Sequence, residues 1–234
     1  MDLNRTEMVL GKEFLNHIRK KSVIVFGIGG VGGAAVEALC RLGLEKITFV
    51  DRDIVEASNV NRQIIATKDT MGKDKVQAMR ERLLSINPTG EFTPLQVNVT
   101  KDWVDHFDFR PYDAILDCID TVSGKLALYE GARRDQVYLL SSMGTGNKLD
   151  PTKLVHTTIE KTKHDPLARV IRRECRKRNL NNIEVIYSTE LPTYGDGKKL
   201  QTPGSTPFVP PSAGILMASI LCRKWYEKID SLVK

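Results

Sequence analysis

A chain of 234 residues, 41% hydrophobic and 27% charged, has the balance of an ordinary globular protein with one large α/β domain or two small ones. Its net charge of +6 at pH 7 favours a polyanionic partner. The four cysteines, Cys40, Cys118, Cys175 and Cys222, lie far apart with no C-x-x-C pair, which argues against a zinc ribbon and a disulfide framework and fits a reducing cytoplasm.

Each cysteine sits in an apolar run, so all four are expected to be buried and inert. The opening MDLNRTEMVLGKEF lacks the apolar core of a secretory signal. Residues 1–20 are expected to form a helical arm. SVIVFG (22–27) reads as a buried first strand, followed by glycines and by Val31, Ala35, Leu39 and Leu42 at helical spacing. KITFVD (46–51) is the second strand, and KDKVQAMRERLLSIN (73–87) an amphipathic helix stopped by Pro88. TPLQVNV (93–99) and YDAILDCID (112–120) read as strands, VSGKLALYEGARRD (122–135) as a helix and VYLLSSM (137–143) as a strand. This alternation predicts a Rossmann-like, mostly parallel α/β sheet with helices on both faces, occupying 21–145.

The character changes beyond residue 145, and 146–234 is expected to form a substrate-binding extension. KLVHTTI (153–159) and IEVIYSTE (183–190) look like antiparallel strands flanking a basic helix over 165–179. Residues 191–211 read as a mobile loop. A last helix, about 212–230, should return to the core. Its apolar stretch AGILMASILC (213–222) is too short to span a bilayer.

Gly27-Ile28-Gly29-Gly30-Val31-Gly32 stands between a strand and a helix, where glycines let backbone N–H groups approach phosphates. Asp51, 19 residues after Gly32 at the end of the next strand, suits a ribose. This pattern alone leaves NAD and ATP open. The downstream residues favour a triphosphate, which needs cations on its phosphates and a carboxylate for its metal. Asn59, Arg62 and Lys75 supply the first and Asp120 the second; Asp53 and Gln63 lie in the same segments. In an NAD oxidoreductase Arg62, Lys75 and Asp120 would have no purpose.

In this order G-x-G-G-x-G, D-x-D, S-N-x-N-R-Q, G-x-x-K and D-x-x-D resemble the ubiquitin-activating-type (ThiF/MoeB-like) adenylyltransferase superfamily over residues about 5–145. The resemblance implies that Asp51 binds the ribose, that Asn59, Arg62 and Lys75 bind phosphates, and that Asp120 binds Mg²⁺. It also implies a homodimer in which Arg5 reaches the triphosphate of the partner subunit. GNKLDPTKL, DPLARVIRRECRKR, YSTELP and PGSTPFVPPSAG are further similar to the bacterial tRNA threonylcarbamoyladenosine dehydratases. That likeness implies adenylation of a carboxylate on a tRNA nucleoside, followed by cyclisation. Lys161, Lys163, Arg169, Arg172, Arg173 and Arg176 are the expected tRNA contacts. Where some dehydratases carry cysteines, this chain has Ile186 before Tyr187 and prolines before Ser212, so a thiol-dependent step at those positions is not expected.

Two other readings stay open: adenylation of a ubiquitin-like sulfur-carrier protein, with a sulfur-transfer partner, and a non-catalytic tRNA-binding protein with a vestigial nucleotide site. The missing cysteine pairs count against the first. His17, His106, His156 and His164 form no visible cluster, so no general base is singled out.

Overall fold

A computed structural model describes residues 1–195, 197 and 202–233, with backbone alone from 228 onward. Residues 196 and 198–201, within the expected loop 191–211, lie outside the described residues. Seven strands form one sheet: β1 (Ser22–Phe26), β2 (Lys46–Val50), β3 (Glu91–Leu95), β4 (Ala114–Asp117), β5 (Tyr138–Ser142), β6 (Leu154–Thr158) and β7 (Glu184–Ser188). Their spatial order is β3-β2-β1-β4-β5-β7-β6. Every neighbouring pair is parallel except β6 with β7. The order reverses between β1 and β4, the switch point at which open α/β sheets bind ligands beyond their strand ends.

The helices are α1 (Asn4–Leu10), α2 (Lys12–Ile18), α3 (Gly30–Leu42), α4 (Lys75–Ile86), α5 (Lys101–His106), α6 (Val122–Asp135), α7 (Pro166–Lys177) and α8 (Val209–Val233). They bury the sheet on both faces. Val23 and Val25 of β1 join one core, with α2, α3, α4 and α8; Ile24 and Phe26 join the other, with α5, α6 and α7. This is the two-residue period of a strand covered on each side. Each fully buried side chain of this size contributes about 1.5–3 kcal/mol.

Three elements depart from the sequence reading. β3 spans Glu91–Leu95 rather than 93–99, because its register is fixed by β2, from Lys46 opposite Glu91 to Val50 opposite Leu95. Pro94 is tolerated there because β3 is an edge strand. α5 was not expected: it is one short turn-and-a-half, capped where the Thr100 hydroxyl accepts the Trp103 N–H at 3.2 Å. Trp103 then stacks on Phe107 with ring centroids 4.4 Å apart. α8 starts at Val209, before the expected 212, since Pro210 and Pro211 fall in its first turn, where helix N–H groups have no internal partner.

α8 returns against α3 at very short range. A Cβ at Gly214 would stand 2.0 Å from the Val31 carbonyl oxygen, so only glycine fits this crossing. The helix thereby closes the first core through Ala213, Met217 and Leu221. Among the described residues no helix is long and apolar enough to cross a membrane.

Candidate active site

The chain from β1 into α3 forms the floor of the site. Gly27 has φ +86°, and a Cβ there would meet the Cys118 carbonyl oxygen at 2.8 Å. A Cβ at Gly32 would stand 1.8 Å from the Gly27 carbonyl oxygen. These two glycines are dictated by the turn itself. Gly30 is confined by Pro210 and the Arg62 carbonyl oxygen at 3.0 and 3.2 Å. Gly29 differs: its nearest neighbour, Gln63 Nε2, would lie 3.8 Å from a Cβ, an ordinary contact. The fold therefore does not require glycine at position 29. The free N–H groups of the first turn of α3 face this loop and present positive potential.

Asp51 locks the loop. Its Oδ2 accepts the Ile28 N–H at 2.6 Å and its Oδ1 the Asp53 N–H at 2.9 Å. Lys75, buried at 6% exposure, donates from Nζ to Asp53 Oδ2 at 2.9 Å. An ammonium has three donors, so two remain for phosphate oxygens. Asn59 is buried and shapes its own turn, its Oδ1 accepting the Glu56 N–H at 3.1 Å. Arg62 donates from Nη1 to the Ser58 carbonyl at 2.9 Å and to Asn61 Oδ1 at 2.8 Å, and its other guanidinium donors have no partner among the described residues. Gln63 is buried, and its Oε1 has no partner among the described residues.

Asp120 follows β4 by three residues and is exposed. It is not the cap of α6; that position is Thr121. Among the described residues Asp120 makes no hydrogen bond or ion pair. No group of three or more His, Cys, Asp or Glu side chains that could hold a metal is found among the described residues. A free carboxylate beside the glycine loop suits Mg²⁺, which takes one or two protein carboxylates and fills its remaining positions with phosphates and water.

The C-terminal segments wall the same edge. Asn147 N–H donates to the Gly204 carbonyl at 2.7 Å, and Gly204 N–H to Asn147 Oδ1 at 2.8 Å. Asn61 Nδ2 donates to the Ser205 carbonyl at 2.9 Å, tying this wall to the segment that carries Arg62. Lys148 is buried and donates to the Glu190 carbonyl; burial holds its ammonium below the ordinary lysine range. Asp165 caps α7, its Oδ1 accepting the Ala168 N–H at 2.7 Å, and lies against Gly144 just after β5. Burial raises the Asp165 carboxyl. α7 thus begins at the edge that carries the site.

Arg5 is not brought to the site of its own chain. It is exposed on α1, and the neighbouring Leu3 packs on Gly43 at the far end of α3. The 13 residues of α3 separate that end from the glycine loop by roughly 20 Å.

The expected nucleic-acid face divides. Lys161, Lys163, Arg169, Arg173 and Arg176 are exposed, while Leu167, Ile171 and Cys175 turn inward. Arg172 departs from the set: it is half-buried and donates to the carbonyl and hydroxyl of Thr162, each at 2.7 Å. It braces α7. Glu174 pairs with Arg173, Lys177 and Arg178, whose charges pull its carboxyl down to about 2. Arg178 and Lys177 are therefore partly neutralised, whereas Lys161, Lys163, Arg169 and Arg176 make no ion pair among the described residues.

The cysteines correct one expectation: Cys40 and Cys175 are buried, but Cys118 and Cys222 are only half-buried. Burial still pushes the thiols up, to about 11 for Cys40 and Cys175, so none is an activated nucleophile. Of the histidines, His156 pairs with Glu184 at 2.9 Å and His106 bonds the Asp102 carbonyl at 2.8 Å. Neither is bonded to a residue of the site.

A buried network went unread in the sequence. Lys125 Nζ donates to Asp117 Oδ2 at 2.9 Å, to Ser141 Oγ at 3.2 Å and to the Ser142 carbonyl at 2.7 Å. Tyr129 shares a 2.7 Å hydrogen bond with Ser141. The available signal was a charge at the end of one apolar strand and a lysine on the buried face of the next helix.

Residues 3–221 match the ThiF family. The chain is 37% identical over 229 residues to the tRNA threonylcarbamoyladenosine dehydratase of Bacillus subtilis, covering 92% of this chain and 90% of that protein. The crystal structure of the E. coli tRNA N6-threonylcarbamoyladenosine dehydratase in complex with AMP superposes with a TM-score of 0.90 and 32% identity, covering 97% of this chain and 95% of the other. The complex of that enzyme with ATP gives 0.88 and 31%, covering 98% and 95%.

Proposed function

The chain belongs to the ThiF family, and from that premise and the site geometry we infer that it is an ATP-dependent enzyme that dehydrates N6-threonylcarbamoyladenosine in tRNA. One observation carries the substrate: the likeness to the dehydratases runs over 92% of this chain, and so takes in the walls built from residues 144–150, 190–193 and 203–206.

A carboxylate is a poor electrophile because its leaving group would be oxide or hydroxide. Attack of a carboxylate oxygen on the α-phosphorus of ATP expels pyrophosphate and makes an acyl-adenylate, whose leaving group is AMP. The ureido group of the same nucleoside then attacks the carbonyl carbon, loses its proton and releases AMP, which closes the ring. The nucleoside has lost one water. The barrier to the first step is charge repulsion and positioning.

The glycine loop and the first turn of α3 place backbone N–H groups on the phosphates. Asp51, already bonded to the Ile28 N–H, orients the ribose with its remaining lone pairs. Lys75 and Arg62 carry positive charge to the departing pyrophosphate. Asp120 holds Mg²⁺, which supplies charge neutralisation on the triphosphate. Ring closure is intramolecular, so the unactivated thiols are not needed. Activation of a ubiquitin-like carrier would share every motif through Asp120. Pyrophosphate release should require threonylcarbamoyl-modified tRNA; release driven by a carrier protein and indifferent to tRNA would overturn the reading.

Lys161, Lys163, Arg169, Arg173 and Arg176 contact the tRNA backbone. Substituting Arg169 and Arg176 together by alanine should weaken binding and flatten the dependence of log K on log salt by about one for each lost phosphate contact. Unchanged affinity and slope in a filter-binding titration would remove α7 from the interface.

The enzyme acts as a homodimer. A groove of about 410 Å³ beside Arg62 is lined by Val60, Ile64, Pro207, Pro211 and Ile215. On α1, Met8 and Val9 are exposed three and four residues after Arg5, on the same face. An apolar α1 face seated on a second copy delivers Arg5 towards that copy's triphosphate, which its own chain cannot do. Mixing inactive Arg5→Ala and Asp120→Ala chains should restore part of the activity, and a mixture as inactive as its components would exclude a shared site.

A further inference from the structure

The Lys125–Asp117 pair is fully buried, with zero exposure of both side chains, yet it lies at the edge where the site is built. A buried ion pair is weak support for stability, since apolar residues of similar volume often serve as well. Its placement points elsewhere. Asp117 is the last residue of β4, and its Oδ1 accepts the Ile119 N–H at 3.3 Å, which fixes the turn ending at Asp120. The middle of that turn presses on the glycine loop: the Cys118 carbonyl oxygen would stand 2.8 Å from a Cβ of Gly27, and Cys118 Cβ 3.2 Å from a Cβ of Gly32. Lys125 simultaneously grips the Ser142 carbonyl at the end of β5, two residues before Gly144 and the substrate wall.

We propose that Lys125 is a positioning residue that, through Asp117 and the Ser142 carbonyl, sets the place of Asp120 against the glycine loop and the spacing between the nucleotide strand end and the substrate strand end. The ammonium suits this task because its three donors are taken by three different groups, Asp117, Ser141 and Ser142, so any displacement of one strand end breaks a bond to the other. The proposal rests on the reading of Asp120 as the carboxylate that faces Mg²⁺-bound ATP.

The test uses the double variant Lys125→Met/Asp117→Leu, which removes both charges together. A single substitution would strand the remaining charge in the core, whereas removal of the pair is compatible with a stable fold. Calorimetry measures the affinity for ATP with and without Mg²⁺, and hydrogen exchange follows the amides of 118–120 and 142–144. The double variant should melt as a folded protein, exchange faster in both segments, and lose about 10- to 100-fold of the gain in ATP affinity that Mg²⁺ confers. Ser141→Ala, which leaves the pair in place, should show a smaller shift in the same direction and serves if the double variant does not fold.

Unaltered exchange, or faster exchange with a wild-type gain from Mg²⁺, would overturn the positioning role. A wild-type chain whose ATP affinity does not respond to Mg²⁺ would overturn the role of Asp120 itself and this proposal with it. That failure is recognisable before any substitution is made.

Discussion

Asp120→Ala should lower the rate of pyrophosphate release by about 10³-fold, the scale of one preorganised electrostatic group at a phosphoryl centre. The same substitution should leave the melting temperature almost unchanged. Asp120 is exposed, caps no helix and bonds to nothing among the described residues, and such positions usually move stability by no more than about 0.5 kcal/mol. The contrast between rate and stability is the diagnostic. A fully active Asp120→Ala enzyme would mean that the exposed carboxylate has no part in the reaction. It would also revive the reading of a tRNA-binding protein with a vestigial nucleotide site, provided tRNA affinity were kept.

The second large effect separates two glycines three residues apart. Gly32→Ala should unfold the loop and destabilise the protein by more than about 3 kcal/mol, because a Cβ on this first-turn residue of α3 would stand 1.8 Å from the Gly27 carbonyl oxygen. Gly29→Ala should fold normally, since among the described residues, its chain neighbours aside, nothing lies closer than 3.8 Å to the added methyl. It should nonetheless weaken ATP binding by about 10²-fold, the loss expected when two phosphate-binding N–H contacts to a charged group are displaced. Thermal melting and calorimetry on the two variants read this directly. A Gly29→Ala protein that binds ATP like the wild type would show that the phosphates approach the chain elsewhere.

These predictions depend on details that differ in how visible they were in the amino-acid order. Val23 to Phe26 and Ile47 to Val50 announced their elements because strands buried on both faces read as short continuous apolar runs, and Val31, Ala35 and Leu39 announced α3 by their helical spacing. The displacement of β3 was not visible, since its register is decided by β2, which lies about 45 residues away in the chain. α5 was hidden because one and a half turns generate almost no periodicity; only Thr100 marked its start. Gly214 looked like an ordinary small residue, and its necessity appears only when α8 meets the Val31 carbonyl.

At the site, the glycines, Asp51 and Asp120 could be located from the sequence because a strand end and the turn after it place them by local geometry. Residues whose task depends on a distant partner were not. Arg172 carries the same charge as Arg169 and Arg176, yet Thr162 draws its guanidinium into the structure. Lys125 looked like one more lysine in a helix. Its burial follows from the meeting of two strand ends and one helix, a tertiary fact with no local signature. Asn59, expected on the phosphates, is first of all the residue that holds its own turn.

The most direct measurement is mass analysis of the nucleosides from threonylcarbamoyladenosine-containing tRNA after incubation with the purified enzyme, ATP and Mg²⁺. The modified nucleoside should lose the mass of one water, with one AMP and one pyrophosphate formed for each nucleoside converted. An unchanged nucleoside mass, in a preparation that binds ATP and tRNA and is supplied with both, would contradict the account.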